Sequence, residues 1–216
     1  WLSVGGVLIQ PGLLLVPLLV MRVANACSGY GTMAVVAAAA ALALQPDRAM
    51  AGALAAGLCA LAMIRRDRHV LIALVAALAG LAVTFVRPDA SRAASFVDQI
   101  FYSSFEVHPL AGLALILETL LLLAPAAVGL LRDPLHRTSY GVFGAVWLAV
   151  VAAAMLGNHP TPLVGYGGSA ILGYLLSLTG LPVRTSAVTV TQEFPAASSR
   201  EDDRNARLRG SLSCPA

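Results

Sequence analysis

Two stretches of this 216-residue chain carry residue types that can do chemistry, at spacings that a helix turns into faces. The first opens Arg87-Pro88-Asp89-Ala90-Ser91-Arg92 and continues as DQIFYSSFE from Asp98 to Glu106. At helical period Val97, Ile100, Phe101 and Phe105 fall on one side, while Asp98, Tyr102 and Glu106 form a polar stripe on the other. That split predicts a helix lying in a membrane interface, and a plain amphipathic helix whose acids face water fits it equally. Asp98 and Glu106 would be separated by about 12 Å along such a helix, too far for the close carboxylate pair of a retaining glycosidase. If one of them serves as a base, it serves alone.

The second stretch is PTPLVGYGGSA, Pro160 to Ala170. Two prolines set an extended approach, and Gly165, Gly167 and Gly168 permit close backbone contact at the mouth of a helix, where N–H groups also favour anions. Beyond it Gly165, Ser169, Gly173 and Ser177 recur every four residues, a small-residue stripe that lets another helix come near. Packing and binding are both open readings of it. A third candidate is Glu118, inside the apolar run LALILETLLLL, where an unpaired ionisable group costs about 3 kcal/mol on insertion scales. It would serve a proton-coupled pathway, or would be a protonated acid hydrogen-bonded between helices.

Other chemistries find less support. No two of His69, His108, His136 and His159 stand four apart, and Cys27, Cys59 and Cys214 lack metal-ligand spacing, so no metal site is expected from them. The 14 basic residues are all arginine, which excludes Schiff-base cofactors, a catalytic lysine and a phosphate-loop lysine together.

The elements that must position these groups are apolar helices. The chain is 58% hydrophobic and only 12% charged, with a mean hydropathy of +0.81. A soluble fold is excluded by that composition. Apolar blocks bounded by charges or turn residues predict an all-α, polytopic membrane protein of about seven transmembrane helices. The blocks run Leu2 to Met21, Tyr30 to Leu44, Ala49 to Ile64, His69 to Val86, Val107 to Leu131, Tyr140 to Leu156 and Leu163 to Leu181, with the interfacial helix before the fifth. The second and third are short and Ala-rich, and a re-entrant hairpin is the alternative for that pair. Residues 1–182 form this bundle, and 183–216, rich in Thr, Ser, Arg, Asp and Glu, are expected to be a polar tail disordered on its own.

Arginine placement orients the bundle, since positive loops stay cytoplasmic. With the N-terminus outside, Arg22, Arg65, Arg66, Arg68, Arg132, Arg137 and the tail arginines lie inside, against Arg48, Arg87 and Arg92 outside. The expected topology in the inner (cytoplasmic) membrane is therefore N-out and C-in. The Asp98 segment and the segment before the last span then share the outer face. The formal charge of +3 reports this orientation and argues for no nucleic-acid partner.

Taken together, the two outer segments resemble the C-terminal part of the shape, elongation, division and sporulation (SEDS) family of membrane glycosyltransferases. In that family an extracytoplasmic Asp opens a pattern like D-F-I-F-A-x-x-x-E-E-x-G, and the last helix follows P-L-P-F-x-S-Y-G-G-S. Asp98, Ile100, Phe101, Glu106 and Gly112 keep the first spacing, and Pro160, Pro162, Tyr166, Gly167, Gly168 and Ser169 keep the second. The resemblance covers roughly Arg87 to Leu181 and departs from the family at Val107 and Gly165. Seven spans stand where the family has ten, so the chain reads as shortened, unless residues before Trp1 restore the count.

The resemblance implies polymerisation of a lipid-linked peptidoglycan precursor at the outer face, with Asp98 as the base for the attacking hydroxyl. Arg87, Arg92 or a divalent metal would meet the leaving pyrophosphate, and Glu106 would hold that metal or orient the helix. Tyr166, Gly167, Gly168 and Ser169 would shape the lipid groove, and a membrane-anchored transpeptidase is the implied partner. Two other functions suit the residues: a non-catalytic subunit scaffolding a larger membrane complex, and a proton-coupled transporter using Glu118.

Overall fold

The computed structural model describes residues 2–4, 7–26, 28–87, 100–156, 161–162 and 168–182. They build eight α-helices, which we number α1 (Pro11–Asn25), α2 (Gly29–Leu44), α3 (Arg48–Ile64), α4 (Arg68–Val86), α5 (Ile100–Val107), α6 (Pro109–Arg132), α7 (Arg137–Met155) and α8 (Gly168–Leu178). A single 3-10 turn, Pro134–His136, joins α6 to α7. Ahead of α1 two short strands, β1 (Leu2–Val4) and β2 (Val7–Ile9), pair antiparallel with Val4 opposite Val7.

This hairpin corrects the first expected span. A continuous helix from Leu2 does not form; α1 starts at Pro11. Gly5-Gly6 between two valines is a sequence signal for a tight two-residue connection, and Pro11 suits the first position of a helix, where no N–H is needed. Overall apolarity masked both signals. The other six expected spans correspond to the helices α2, α3, α4, α6, α7 and α8, the part of the last before Gly168 lying outside the described residues.

The helix starts follow from their caps. Ser28 accepts from Gly31 N at 3.2 Å, Asp47 from Met50 N at 3.0 Å, and Asp67 from His69 N at 2.7 Å. Each occupies an N-cap and satisfies an amide that the helix leaves without a partner. His108 does the same for α6 through Nδ1, which accepts from Leu110 N at 3.2 Å. Pro109 follows it as the first helical residue.

Among the described residues three helical segments are long and apolar enough to cross a membrane: α4, α6, and the stretch Pro134–Met155 containing α7. Helices α1, α2, α3 and α8 are apolar but shorter. The core is built around α3 and α7, which pack on each other; α3 also meets α1 and α4, and α7 also meets α1 and α6. Trp147, Phe143, Met50, Leu54, Leu58 and Leu61 are fully buried there. In contrast, only 22% of the α6 window is buried, and Leu110, Leu113, Leu117, Leu120 and Leu121 lie outside the packed core. An outward apolar face of that breadth is what a bilayer solvates.

Side-chain hydrogen bonds sort the connections into two ends. At one, Gln10 meets Asp47 and Ser169, Arg48 meets the carbonyls of Thr84 and Arg87, Arg87 meets that of Leu44, and Tyr102 meets that of Met155. At the other, Asn25 meets Gly180 and Ser139, Arg65 meets Ala24, and Thr32 meets His69. The helices thus alternate up and down, with α1 and α8 running parallel. Residues 183–216, expected to be the polar tail, lie outside the described residues.

Candidate functional site

The described parts of the chemistry-bearing segments, Arg87, α5 and the start of α8, lie at the end of the bundle that also holds Gln10 and Asp47. Helix α5 is the observed part of the expected interfacial helix. Phe101 is buried against Leu115 and Ala154, with Ile100 packed beside it. Tyr102 is exposed yet tied at its tip, its hydroxyl donating to the Met155 carbonyl at 2.8 Å, so α5 is fastened to the end of α7. Glu106 is exposed on the same helix.

Gly112, which belongs to the first motif, has a packing reason. A Cβ there would stand 2.5 Å from the Phe105 ring, so glycine lets Phe105 fold across the corner between α5 and α6. Phe105 keeps 46% of its surface exposed all the same, less inward than the expected apolar side required.

Arg87 closes α4. Its Nη1 donates to the Leu44 carbonyl at 3.2 Å, while its own carbonyl accepts from Arg48 Nη2 at 3.0 Å. Arg48 also donates through Nε to Thr84 O at 3.1 Å and lies over the Phe85 ring at 5.6 Å. The two arginines therefore clasp the α2–α3 connection to the end of α4. Arg87 is exposed and anchored through one nitrogen, a structural bond that its sequence context did not announce.

The second motif enters the described residues at Gly168 and Ser169, the first turn of α8. Ser169 is buried, and its Oγ accepts from the Gln10 backbone N–H at 3.0 Å. One turn on, a Cβ on Gly173 would collide with the Leu13 carbonyl, so α8 lies backbone to backbone against α1. After another turn Ser177 accepts from Trp147 Nε1 at 3.0 Å. The described part of the small-residue stripe is thus spent on internal packing against α1 and α7. Gly168, by contrast, has open space where a side chain would go.

Asp98, Arg92, Tyr166 and Gly167 lie outside the described residues. Glu118 is half-buried near the middle of α6, and among the described residues it meets no hydrogen-bond or ion-pair partner. No group of three or more His, Cys, Asp or Glu that could hold a metal occurs among the described residues.

Two polar groupings escaped the reading of the sequence. One is Gln10 with Asp47, whose signal was the pairing of each with a nearby proline, Pro11 and Pro46, at a helix start. The other is Tyr174, whose hydroxyl donates to the Leu122 carbonyl at 2.9 Å while its ring meets Trp147 at 5.1 Å and Phe143 at 5.6 Å. It ties α8 to α6 and α7 across the interior. Nothing in the spacing of one tyrosine in an apolar run marks such a role. No family model, curated protein or solved structure matches the chain, so its function has to be read from its own residues.

Proposed function

We propose that this chain is a shortened relative of the SEDS glycosyltransferases, a seven-span protein of the cytoplasmic membrane with its N-terminus outside and C-terminus inside. In this reading it acts on a lipid-linked peptidoglycan precursor at the outer leaflet. What supports it is one shared location: Arg87 and Glu106 from the first segment and Gly168 and Ser169 from the second all belong to the same end of the bundle.

The chemistry asks little of the protein beyond charge and position. The attacking sugar hydroxyl needs a base, and Asp98 is the acid of the segment best suited to it. The leaving pyrophosphate needs positive charge, which Arg87 and Arg92 carry, alone or with a divalent metal held by Glu106. Tyr166 to Ser169 shape the groove for the lipid, with Ser169 held by Gln10.

The test is Asp98→Asn in proteoliposomes supplied with the lipid-linked disaccharide. Glycan polymerisation should drop at least about 100-fold, the usual contribution of a general base, with the folded fraction unchanged. Polymerisation at the native rate would remove the catalytic reading.

A second reading, a non-catalytic subunit that scaffolds the other subunits of a larger membrane complex, draws on the broad leucine face of α6. It expects Asp98→Asn to be silent. It also loses the stripe on α8 as its docking face, because Ser169, Gly173 and Ser177 are already engaged within the chain. Transport through Glu118 is the remaining reading, and Glu118→Gln with unchanged proton uptake would dismiss it.

A further inference from the structure

Gln10 precedes Pro11 at the start of α1 but does not cap its own helix. Its side chain crosses instead to the start of α3, where Nε2 donates to Asp47 Oδ2 at 3.1 Å. That bond fixes the amide's sense, because the reversed orientation would turn its oxygen toward a carboxylate. The amide oxygen is left over. Gln10 is only 8% exposed, and Oε1 is the one buried side-chain oxygen or nitrogen among the described residues without a hydrogen-bond partner. A buried acceptor with no donor is costly and calls for a ligand.

The surroundings say what kind. The side chains bonded to Gln10 among the described residues bring oxygens: both of Asp47, which accept from Gln10 Nε2 and Met50 N, and Ser169 Oγ, which takes the Gln10 N–H at 3.0 Å. The adjacent cation does not serve, since Arg48 is turned away to the carbonyls of Thr84 and Arg87. Among the described residues Asp47 has no ion-pair partner. An oxygen-rich group with one unpaired carboxylate matches a hard cation rather than an anion or an apolar group.

We propose that Gln10, Asp47 and Ser169, at the meeting of α1, α3 and α8, form a binding site for a monovalent cation of the sodium type. A single carboxylate balances a single positive charge. The N-terminus of α3, capped by Asp47 through Met50 N at 3.0 Å, already offsets part of that carboxylate's charge. The site is therefore weak, with half-saturation on the order of 10 mM, and it does not concentrate divalent ions. An occupied site would lock α8 to α1 and α3, stiffening the outer end on which the second motif sits. The site does not depend on the glycosyltransferase reading.

The measurement is thermal unfolding of the full chain in detergent, in about 0.15 M NaCl or choline chloride at equal ionic strength. The native protein should melt about 3 to 6 °C higher in NaCl. Gln10→Leu removes the orphan oxygen, and Asp47→Asn removes the charge while keeping a good cap; in both, the difference between the salts should vanish. Binding of radioactive sodium by scintillation proximity should fall at least about tenfold in the same variants. Equal melting in the two salts, a sodium effect that survives in both variants, or stabilisation by magnesium without sodium would each overturn the assignment. A site filled by an ordered water alone gives the first of these results.

Discussion

Gly173 sets how near α8 can come to α1, because the space a side chain would need is taken by the Leu13 carbonyl. Gly173→Ala should force the two helices apart and cost about 1 to 3 kcal/mol, the usual range for overpacking, whereas Gly168→Ala, with open space around it, should fall within about 0.5 kcal/mol of native. Thermal or denaturant unfolding in detergent separates the two, and equal losses would mean that the close approach is not a stabilising contact. Ser177 makes a related case. It accepts from the indole of Trp147, which is fully buried, and passes its own proton to the Tyr174 carbonyl at 2.8 Å. Ser177→Ala should leave the indole N–H unpaired and cost about 1 to 3 kcal/mol, visible as a lower unfolding midpoint. The sequence showed that Gly173 and Ser177 share a face, since a four-residue period is a property of the chain itself. It could not show that the face meets Leu13 and Trp147, because those partners are remote in the chain. Ser169 was likewise singled out from its motif, while Gln10, which binds it, comes from the far end of the chain.

Among the helices, the strength of each start depends on what its cap touches besides its own amides. Asp67 caps α4 at an exposed corner, and Asp67→Ala should cost about 1 kcal/mol and raise hydrogen exchange mainly in the first turn of α4. Asp47→Ala should cost more, because it also releases Gln10 Nε2 beside the buried start of α1 and loosens α3, which lies at the centre of the core. If exchange rises only in the first turn of α3, the bond to Gln10 adds nothing to the cap. Boundaries were legible where a cap stood just before apolar sequence: Ser28, Asp47 and Asp67 directly precede the starts expected at Tyr30, Ala49 and His69, whereas the span expected from Val107 begins at Pro109, Val107 closing α5. They were not legible at the beginning of the chain. There the apolar block from Leu2 to Met21 is divided by Gly5-Gly6 and Pro11, and hydropathy, which sums over a window, cannot register a change of backbone within it. The pair α2 and α3 are regular helices of 16 and 17 residues, short for spans, so their length leaves both the crossing and the re-entrant arrangement open.

For the molecule as a whole, the separation of its charges gives the sharpest test of how it lies in a membrane. Arg22, Arg65, Arg66, Arg68, Arg132 and Arg137 belong to one end of the helices, and Arg48 and Arg87 to the other. The two at the sparse end are engaged with backbone carbonyls of α2 and α4, so they act as local fasteners. The crowded end carries Arg65-Arg66-Asp67-Arg68 in a short link between α3 and α4, the placement expected where anionic headgroups and the cytoplasm lie. In the proposed topology Gln45, exposed in the α2–α3 link, and Arg66, exposed in the α3–α4 link, face opposite sides of the bilayer. With Cys27, Cys59 and Cys214 replaced by serine, Gln45→Cys should react with a membrane-impermeant maleimide added outside intact cells. Arg66→Cys should react only after permeabilisation. The reverse pattern would put the end bearing Arg87, Glu106 and Ser169 on the cytoplasmic side, away from the outer leaflet where the proposed activity works, and that activity would fall with it. Labelling of both positions from outside would mean that α3 does not cross the bilayer, which would leave α4, α6 and α7 as the membrane-spanning frame and the shorter helices packed upon it.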